Sequence, residues 1–239
     1  MSKVTIGLDI AKSVFHLVFM NQSGRVLRKK KLRRHQMLSY FSQLEPCIVV
    51  MEACGSCHYW CRELTKAGHE VKAIAPQYVV AYRKGNKHDY NDAEAIAEAS
   101  QREGMRFVPF KSQDQQDIQL MHRIRERMIA QQTALSNQIR GLLSEYGIVY
   151  ARGVATLVKE LPLTLEEADN GLSMLARRQF QGLLNDLREL REHIKEMDKE
   201  LKAFSQSQPV CERLMSMTGI GPLIATALYA GIGQGQAFN

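Results

Sequence analysis

The sequence contains no apolar run approaching the roughly 18 residues that a membrane-spanning helix needs. Its first residues do not form a secretion signal, because Asp9 and Lys12 interrupt the early apolar stretch. Cysteines are few and odd in number, 5 in 239 residues, which is typical of reduced thiols and not of a disulfide framework. We therefore expect a cytoplasmic protein with no membrane partner.

Glycine-rich loops, internal repeats and low-complexity tracts are also missing. Leu8 to Ser13 resembles the first phosphate loop of the actin-like sugar kinases, but the 16 glycines are scattered and no second glycine-rich loop follows. Apolar residues make up 45% of the chain and charged residues 24%, a composition too apolar for intrinsic disorder. The sequence predicts a folded chain of one or two domains.

Positive charge is concentrated in the first half. Residues 1–110 contain 17 Lys and Arg against 10 Asp and Glu, whereas residues 111–239 contain 15 of each, so the first half carries the whole net charge of +7. A basic half of this kind indicates a polyanionic partner, and nucleic acid is the expected one. A solvated basic surface is the alternative.

The first 110 residues follow the pattern of an α/β sheet. Apolar, β-branched runs predict strands at 4–10, 13–20, 25–32, 47–52 and 71–75, and helical spacing predicts helices at 35–44, 56–67 and 91–102. The run at 47–52 is apolar without alternation, which indicates a strand buried on both faces. A strand meander followed by alternating strands and helices predicts a mixed sheet.

The second half is helical in pattern. Apolar residues recur at helical spacing from 112 to 146, and a heptad stripe runs from Leu187 to Phe204. The two helices would pair as an antiparallel hairpin, or join protomers as a coiled coil, or lie in an intramolecular bundle. Pro162 and the pair Asn170-Gly171 are predicted breaks between them.

Gly219-Ile220-Gly221 lies between two apolar helical stretches. This pattern predicts a helix-hairpin-helix whose backbone N–H groups bind a nucleic-acid phosphate through Gly219 and Gly221, with a plain helix–helix turn as the alternative. The predicted organisation is therefore a catalytic domain at 1–110, a long helical hairpin or coiled coil at 111–208, and the start of a further domain at 209–239.

Four carboxylates stand out by position: Asp9, Glu52, Asp89 and Asp92. Asp9 interrupts the first predicted strand, Glu52 ends the buried fourth strand, and the other two are one helical turn apart. Buried carboxylates are costly unless paired or bound to a metal. We expect them to be catalytic and to bind Mg²⁺ or Mn²⁺, as two ions that together act on a phosphodiester. The alternative is that they are helix caps and surface acids.

The order of these carboxylates along the chain, first strand, fourth strand and late helix, is the ribonuclease H-like arrangement. Basic residues expected to contact nucleic acid are densest between 28 and 34 and occur again just before the acidic pair. They are Arg28, Lys29, Lys30, Lys31, Arg33, Arg34, Arg83, Lys84 and Lys87. For the first group the alternative is an edge strand that its charge protects from aggregation.

Cys54-Gly55-Ser56-Cys57-His58 matches the spacing of c-type haem attachment, and with Cys61 it could also form a zinc cluster. Haem attachment requires export, for which the sequence has no signal. Cys57 and Cys61, four residues apart, fit equally well as small core residues of a helix.

Four segments together resemble the DEDD transposases of bacterial insertion sequences, the group related to the Piv DNA invertases. The segments are 6–12 (IGLDIAK), 51–55 (MEACG), 87–93 (KHDYNDA) and 219–221 (GIG). The resemblance extends over essentially the whole chain. It implies a RuvC-like first domain, a metal-binding tetrad of Asp9, Glu52, Asp89 and Asp92, and DNA as the substrate.

The resemblance also implies strand cleavage and transfer, in some members directed by a structured guide RNA, and we expect a homo-oligomer formed through the long helices. Members of this family continue into a further domain that supplies a serine nucleophile, and no serine here can be matched to it. We therefore expect a transposase that lacks this domain. The alternatives are a nucleic-acid-binding, oligomerising module without catalysis and a resolvase-like, metal-dependent endonuclease.

Overall fold

The computed structural model of the chain describes residues 4–83, 88–233 and 235. These residues form two compact units that divide between Ser112 and Gln113. In the described residues, the first unit combines strands and helices, and the second is built from helices. No helix in this part of the chain combines the length and the apolar character that crossing a membrane requires.

A six-stranded mixed sheet lies at the centre of the first unit. Its strands are β1 Thr5–Asp9, β2 Val14–Met20, β3 Val26–Arg33, β4 Ile48–Glu52, β5 Glu70–Ile74 and β6 Phe107–Val108. Their order across the sheet is β3-β2-β1-β4-β5-β6. The first three strands form an antiparallel meander, β4 lies parallel to β1 and β5 parallel to β4, and β6 is antiparallel to β5. The prediction of a mixed α/β sheet is confirmed.

Helices cover both faces of this sheet. They are α1 Met37–Phe41, α2 Cys57–Lys66, α3 Pro76–Val80 and α4 Asp89–Ser100. On one face, Phe41 of α1 and Trp60 of α2 pack with β-strand residues such as Phe15 and Leu17. On the other face, Val79 of α3 and Ile96 of α4 pack against Val50 and Ile74. Burial on both faces explains why β4 is apolar without alternation.

The predicted elements of this unit differ from the structure mainly at short segments. The helix predicted at 35–44 is a 3₁₀ turn, Arg34–Gln36, followed by α1. Pro76, which directly follows the strand predicted at 71–75, is the first residue of α3, where proline's missing N–H costs nothing. The two-residue strand β6 was not predicted, because so short a run carries no periodicity.

The second unit contains α5 Gln113–Ser144, α6 Val154–Glu166, α7 Met174–Ser207, α8 Pro209–Met215 and α9 Pro222–Ile232. The long helices α5 and α7 form an antiparallel hairpin within the chain. Ile118, near the start of α5, packs with Leu201 near the end of α7, and Leu143 packs with Leu184 at the opposite end of the pair. Ala230 of α9 joins the first of these clusters.

The break predicted at Pro162 is wrong, because Pro162 lies inside α6. A proline in a helix interior costs about 3 kcal/mol through its lost hydrogen bond and its clash with the preceding turn. Leu157 and Leu161 of the same helix are fully buried against Phe180 and Leu184 of α7, and this packing offsets the cost. The predicted break at Asn170-Gly171 lies between α6 and α7.

Candidate functional site

Parallel pairing of β1 and β4 brings two of the predicted carboxylates to one edge of the sheet. Leu8 pairs with Met51, so Asp9 and Glu52, the last residues of the two strands, end side by side. Strand ends are suited to this role because their backbone remains paired while the last side chain reaches solvent. Both side chains are half-buried.

Helix α4 brings the other two carboxylates over the same edge. Asp89 is its first residue and Asp92 lies one turn later, with the ring of His88 accepting a hydrogen bond from the backbone N–H of Tyr90. The helix approaches β1 very closely at Gly7. A Cβ at position 7 would lie 2.0 Å from the carbonyl oxygen of Ala93, so only glycine permits this approach.

Asp9 is affected by all three of the other carboxylates. Burial raises its pKa to about 6, and the negative charges of Asp92, Asp89 and Glu52 contribute in the same direction, while Arg83 opposes them. Asp92 is itself buried. A carboxylate in this environment is stabilised by a cation that binds close by, so the site favours a metal ion or a positively charged group.

In the structure Arg83 is the positive group beside two of these carboxylates. Its Nη2 lies 3.6 Å from Oε2 of Glu52, and its Nε lies 2.7 Å from Oδ1 of Asp92. The sequence predicted that Arg83 would hold a phosphate, whereas here the guanidinium contacts carboxylates. Lys84 and Lys87, predicted to share that role, lie outside the described residues.

Sequence reasoning missed His16. This residue of β2 pairs directly with Asp9 in the antiparallel register, is buried, and has its Nδ1 3.3 Å from Oδ2 of Asp89. One donor atom each from Asp9, His16 and Asp89 lies within 4.8 Å of the others. A histidine in the otherwise apolar run of β2 was the available signal, but its significance depends on a strand register that spacing alone does not give.

These three residues fit a divalent cation. Burial lowers the pKa of His16, more than Asp89 raises it, which favours the neutral imidazole, the form that binds metals. Nδ1 of His16 is also buried without a hydrogen bond in the described structure. Two carboxylates and a neutral imidazole form a common donor set for divalent metals.

The basic run lies on β3, at the edge of the sheet, and strand alternation divides it between two faces. On one face Arg28 lies 2.7 Å from the hydroxyl of Tyr40, and Nζ of Lys30 lies 4.1 Å from the centre of the same ring. On the face covered by α4, Lys29 forms a 2.9 Å ion pair with Glu94, and Lys31 is the register partner of His16.

The remaining predicted contacts lie elsewhere. Arg33 is exposed, and the guanidinium of Arg34 lies 5.3 Å from the centre of the Trp60 ring. In the helical unit Gly219 has φ +90° and Gly221 precedes α9 as its N-cap residue. A left-handed φ at position 219 favours glycine and permits the tight turn between α8 and α9.

The cysteines form no metal cluster in the described part of the chain, where the one group of three or more His, Cys, Asp and Glu donors is that of Asp9. All five cysteines are free. Cys57 and Cys61 are fully buried with their Sγ atoms 3.8 Å apart, while Nδ1 of His58 accepts a hydrogen bond from the backbone of Lys111. These contacts agree with the interpretation of Cys57 and Cys61 as core residues.

The chain is similar to transposases over nearly its whole length. It is 41% identical to the "Probable family 20 transposase" of Pseudomonas aeruginosa and 41% identical to the transposase for insertion sequence element IS1111A of Coxiella burnetii, in each case over 98% of this chain. It is 35% identical, again over 98% of its length, to the transposase for insertion sequence element IS1328 of Yersinia enterocolitica. The matches cover 70%, 64% and 69% of these relatives, in the same order.

A family model of the DEDD type, described as a transposase, matches residues 6–148. The match includes β1, β4 and α4, the three elements that carry the carboxylates described above. It also continues through α5 of the helical unit. The chain therefore belongs to the DEDD transposase family.

Proposed function

We propose that this chain carries the DNA-cleaving site of an insertion-sequence transposase, and that Asp9, Glu52, Asp89 and Asp92 form it. The observation that carries the proposal is that the other three carboxylates lie close to Asp9. Burial and the charges of all three raise the pKa of Asp9. Structural ion pairs disperse charge of one sign, whereas sites for metal-assisted phosphoryl chemistry concentrate it.

The sheet supports a ribonuclease H-like, RuvC-like assignment for the first unit. A three-strand antiparallel meander is followed by two parallel strands, and the carboxylates lie on the first strand, the fourth strand and a later helix. The proposed division into parts at 1–110, 111–208 and 209–239 rests on the sequence pattern. In the structure α8 and α9 pack with α5 and α7.

A divalent cation, Mg²⁺ or Mn²⁺, would polarise the scissile phosphate and assist attack by an oxygen nucleophile. Asp9 and Asp89 would hold it. The guanidinium of Arg83 contacts both Glu52 and Asp92. We propose that Arg83 transfers from these carboxylates to a DNA phosphate, which leaves Glu52 and Asp92 free for a second ion.

Nucleic acid is proposed to contact the predicted basic residues of the first unit and, as a separate contact within the second unit, the α8–α9 turn at Gly219 and Gly221. Arg28 and Lys30 border Tyr40, so their charges lie beside an aromatic ring that can stack on a base or sugar. This surface would accept DNA and a structured guide RNA, since phosphate contacts do not depend on sequence.

We also propose a homo-oligomer formed through the long helices. Leu187 and Leu201 of the heptad stripe are buried within the hairpin, whereas Leu190, Ile194 and Met197 between them are only partly buried. A second copy of the chain would cover this central stretch of α7.

One experiment tests the proposed catalysis. The purified chain is incubated with branched and with linear DNA in Mg²⁺ or Mn²⁺, beside Asp9→Asn and the matched control Asp186→Asn, an exposed carboxylate of α7. Cleavage is expected in the unsubstituted protein and in the control, and no cleavage in Asp9→Asn.

The products separate the candidate functions. A covalent protein–DNA adduct supports strand transfer by a transposase, and cleavage without an adduct indicates a resolvase-like endonuclease. Binding without cleavage in any metal would show a nucleic-acid-binding module and overturn the proposed catalysis. Cleavage that survives in Asp9→Asn would move the active site elsewhere.

A further inference from the structure

His16 is a buried polar residue that the proposed tetrad does not use. Its side chain is 7% exposed, and its Nδ1 makes no hydrogen bond in the described structure, although Oδ2 of Asp89 lies 3.3 Å away. An orphaned buried nitrogen is costly, by about 1–3 kcal/mol in typical proteins. A histidine kept only for packing would be expected to satisfy this atom with a backbone or side-chain group.

The strand register directs this nitrogen into the carboxylate cluster. Asp9 and His16 are paired across β1 and β2, so their side chains lie on the same face of the sheet. That face is covered by α4, whose first residue, Asp89, approaches Nδ1 of His16 to 3.3 Å. The ring of Tyr90 packs edge-on against the imidazole, with 4.7 Å between ring centres, and limits its rotation.

We infer that His16 is a nitrogen ligand of the cation held by Asp9 and Asp89, and that the site therefore binds a transition-metal dication such as Mn²⁺ in preference to Mg²⁺. This inference rests on the proposed function, since it adds a ligand to the same metal site. Donor atoms of the three residues already lie within 4.8 Å of one another. Mg²⁺ prefers an all-oxygen shell, whereas imidazole nitrogen suits transition metals.

The test is pulsed EPR of Mn²⁺ bound to the full chain. Protein is prepared with natural histidine and with ¹⁵N-labelled histidine, and the nitrogen modulation of the Mn²⁺ signal is compared. A directly coordinated imidazole is expected to give nitrogen modulation that changes with the label. This measurement uses the unsubstituted protein, so it decides the question even if substitutions at position 16 fail to fold.

Two variants extend the test. His16→Gln is expected to remove the histidine modulation and to weaken Mn²⁺ binding at least about tenfold, with a far smaller change in Mg²⁺ binding. His88→Asn is the matched control. His88 is an exposed histidine next to Asp89, and asparagine retains its side-chain acceptor at the start of α4, so metal binding should not change.

The outcomes separate this inference from the proposed function. Bound Mn²⁺ without histidine modulation, whose binding Asp9→Asn abolishes, overturns the role of His16 and leaves the carboxylate site intact. A chain that binds neither Mn²⁺ nor Mg²⁺ overturns both. Equal weakening of Mn²⁺ and Mg²⁺ by His16→Gln would show that the residue only supports the fold.

Discussion

The two units of this chain differ in how they arrange their charged residues. In the first unit, residues distant in sequence meet at one edge of a sheet, and charge of one sign is concentrated there. In the second, α5 and α7 pack along their lengths, and the charged pair Arg125–Asp198 joins them at a partly exposed position. The difference indicates that a group of like charges gathered at one place suggests function, whereas a single pair of opposite charges suggests a structural contact.

Among the proposed substitutions, a glycine-to-alanine change in each unit should give the largest difference in the free energy of unfolding. Gly7→Ala places a Cβ 2.0 Å from the carbonyl oxygen of Ala93, so α4 must move away from β1. We expect a loss of more than about 3 kcal/mol in the free energy of unfolding, measured by urea denaturation.

The matched control is Gly182→Ala in α7, where a Cβ would meet no atom within 4 Å. It should stabilise the helical unit by about 0.5–1 kcal/mol, because alanine is the better helix former. Similar destabilisation by both substitutions would contradict the close approach of α4 to β1.

Removal of an arginine from each unit is expected to have the next largest effect. Arg83→Gln leaves the buried Asp92 beside three carboxylates, and we expect a loss of about 2 kcal/mol, smaller than for a fully buried pair because Arg83 is partly exposed. Thermal unfolding with and without Mn²⁺ measures it, and added cation should restore most of the stability.

Arg125→Gln provides the comparison in the second unit. Its partner Asp198 is 41% exposed, so water compensates the lost contact and the expected cost is below about 1 kcal/mol. No recovery with Mn²⁺ is expected. Recovery in both variants would mean that the metal acts on the whole chain and not on the carboxylate cluster.

The smallest expected effect is the change in the free energy of unfolding with pH that Asp9 causes in metal-free buffer. The pKa of Asp9 is raised from 3.8 to about 6, so the native state resists ionisation and loses stability as the pH rises through this range. Asp9→Asn should therefore be more stable than the unsubstituted protein at pH 8, by about 1 kcal/mol after allowance for its exposure to solvent.

At about pH 2.5 the stability difference should nearly vanish, because this pH lies below both pKa values and Asp9 is then protonated in the native and in the unfolded state. Denaturant titrations at the two pH values measure the change. A stability advantage of Asp9→Asn that is independent of pH would assign the effect to packing and not to charge.

Local patterns in the sequence predicted the strands well, because β1, β2 and β4 are apolar runs bounded by turn residues. The position of Glu52 at the end of β4 followed from the same runs, whereas Asp9, predicted inside a strand at 4–10, is the last residue of β1. A break was predicted at Pro162, but this residue lies inside α6. Local propensity does not include the packing of Leu157 and Leu161, which stabilises the helix. The ion pairs of Arg83 and the position of His16 could not be predicted, because each depends on tertiary contacts and strand register.

Because Asp9 pairs with His16, the proposed cation site forms only when β1 and β2 pair in the correct register. A shift of β2 by one residue against β1 would place Phe15 or Leu17 opposite Asp9 and turn the imidazole to the other face of the sheet. Such a chain could retain most of its secondary structure and still bind metal poorly. Metal affinity would then distinguish correctly registered molecules from near-native ones that circular dichroism cannot separate.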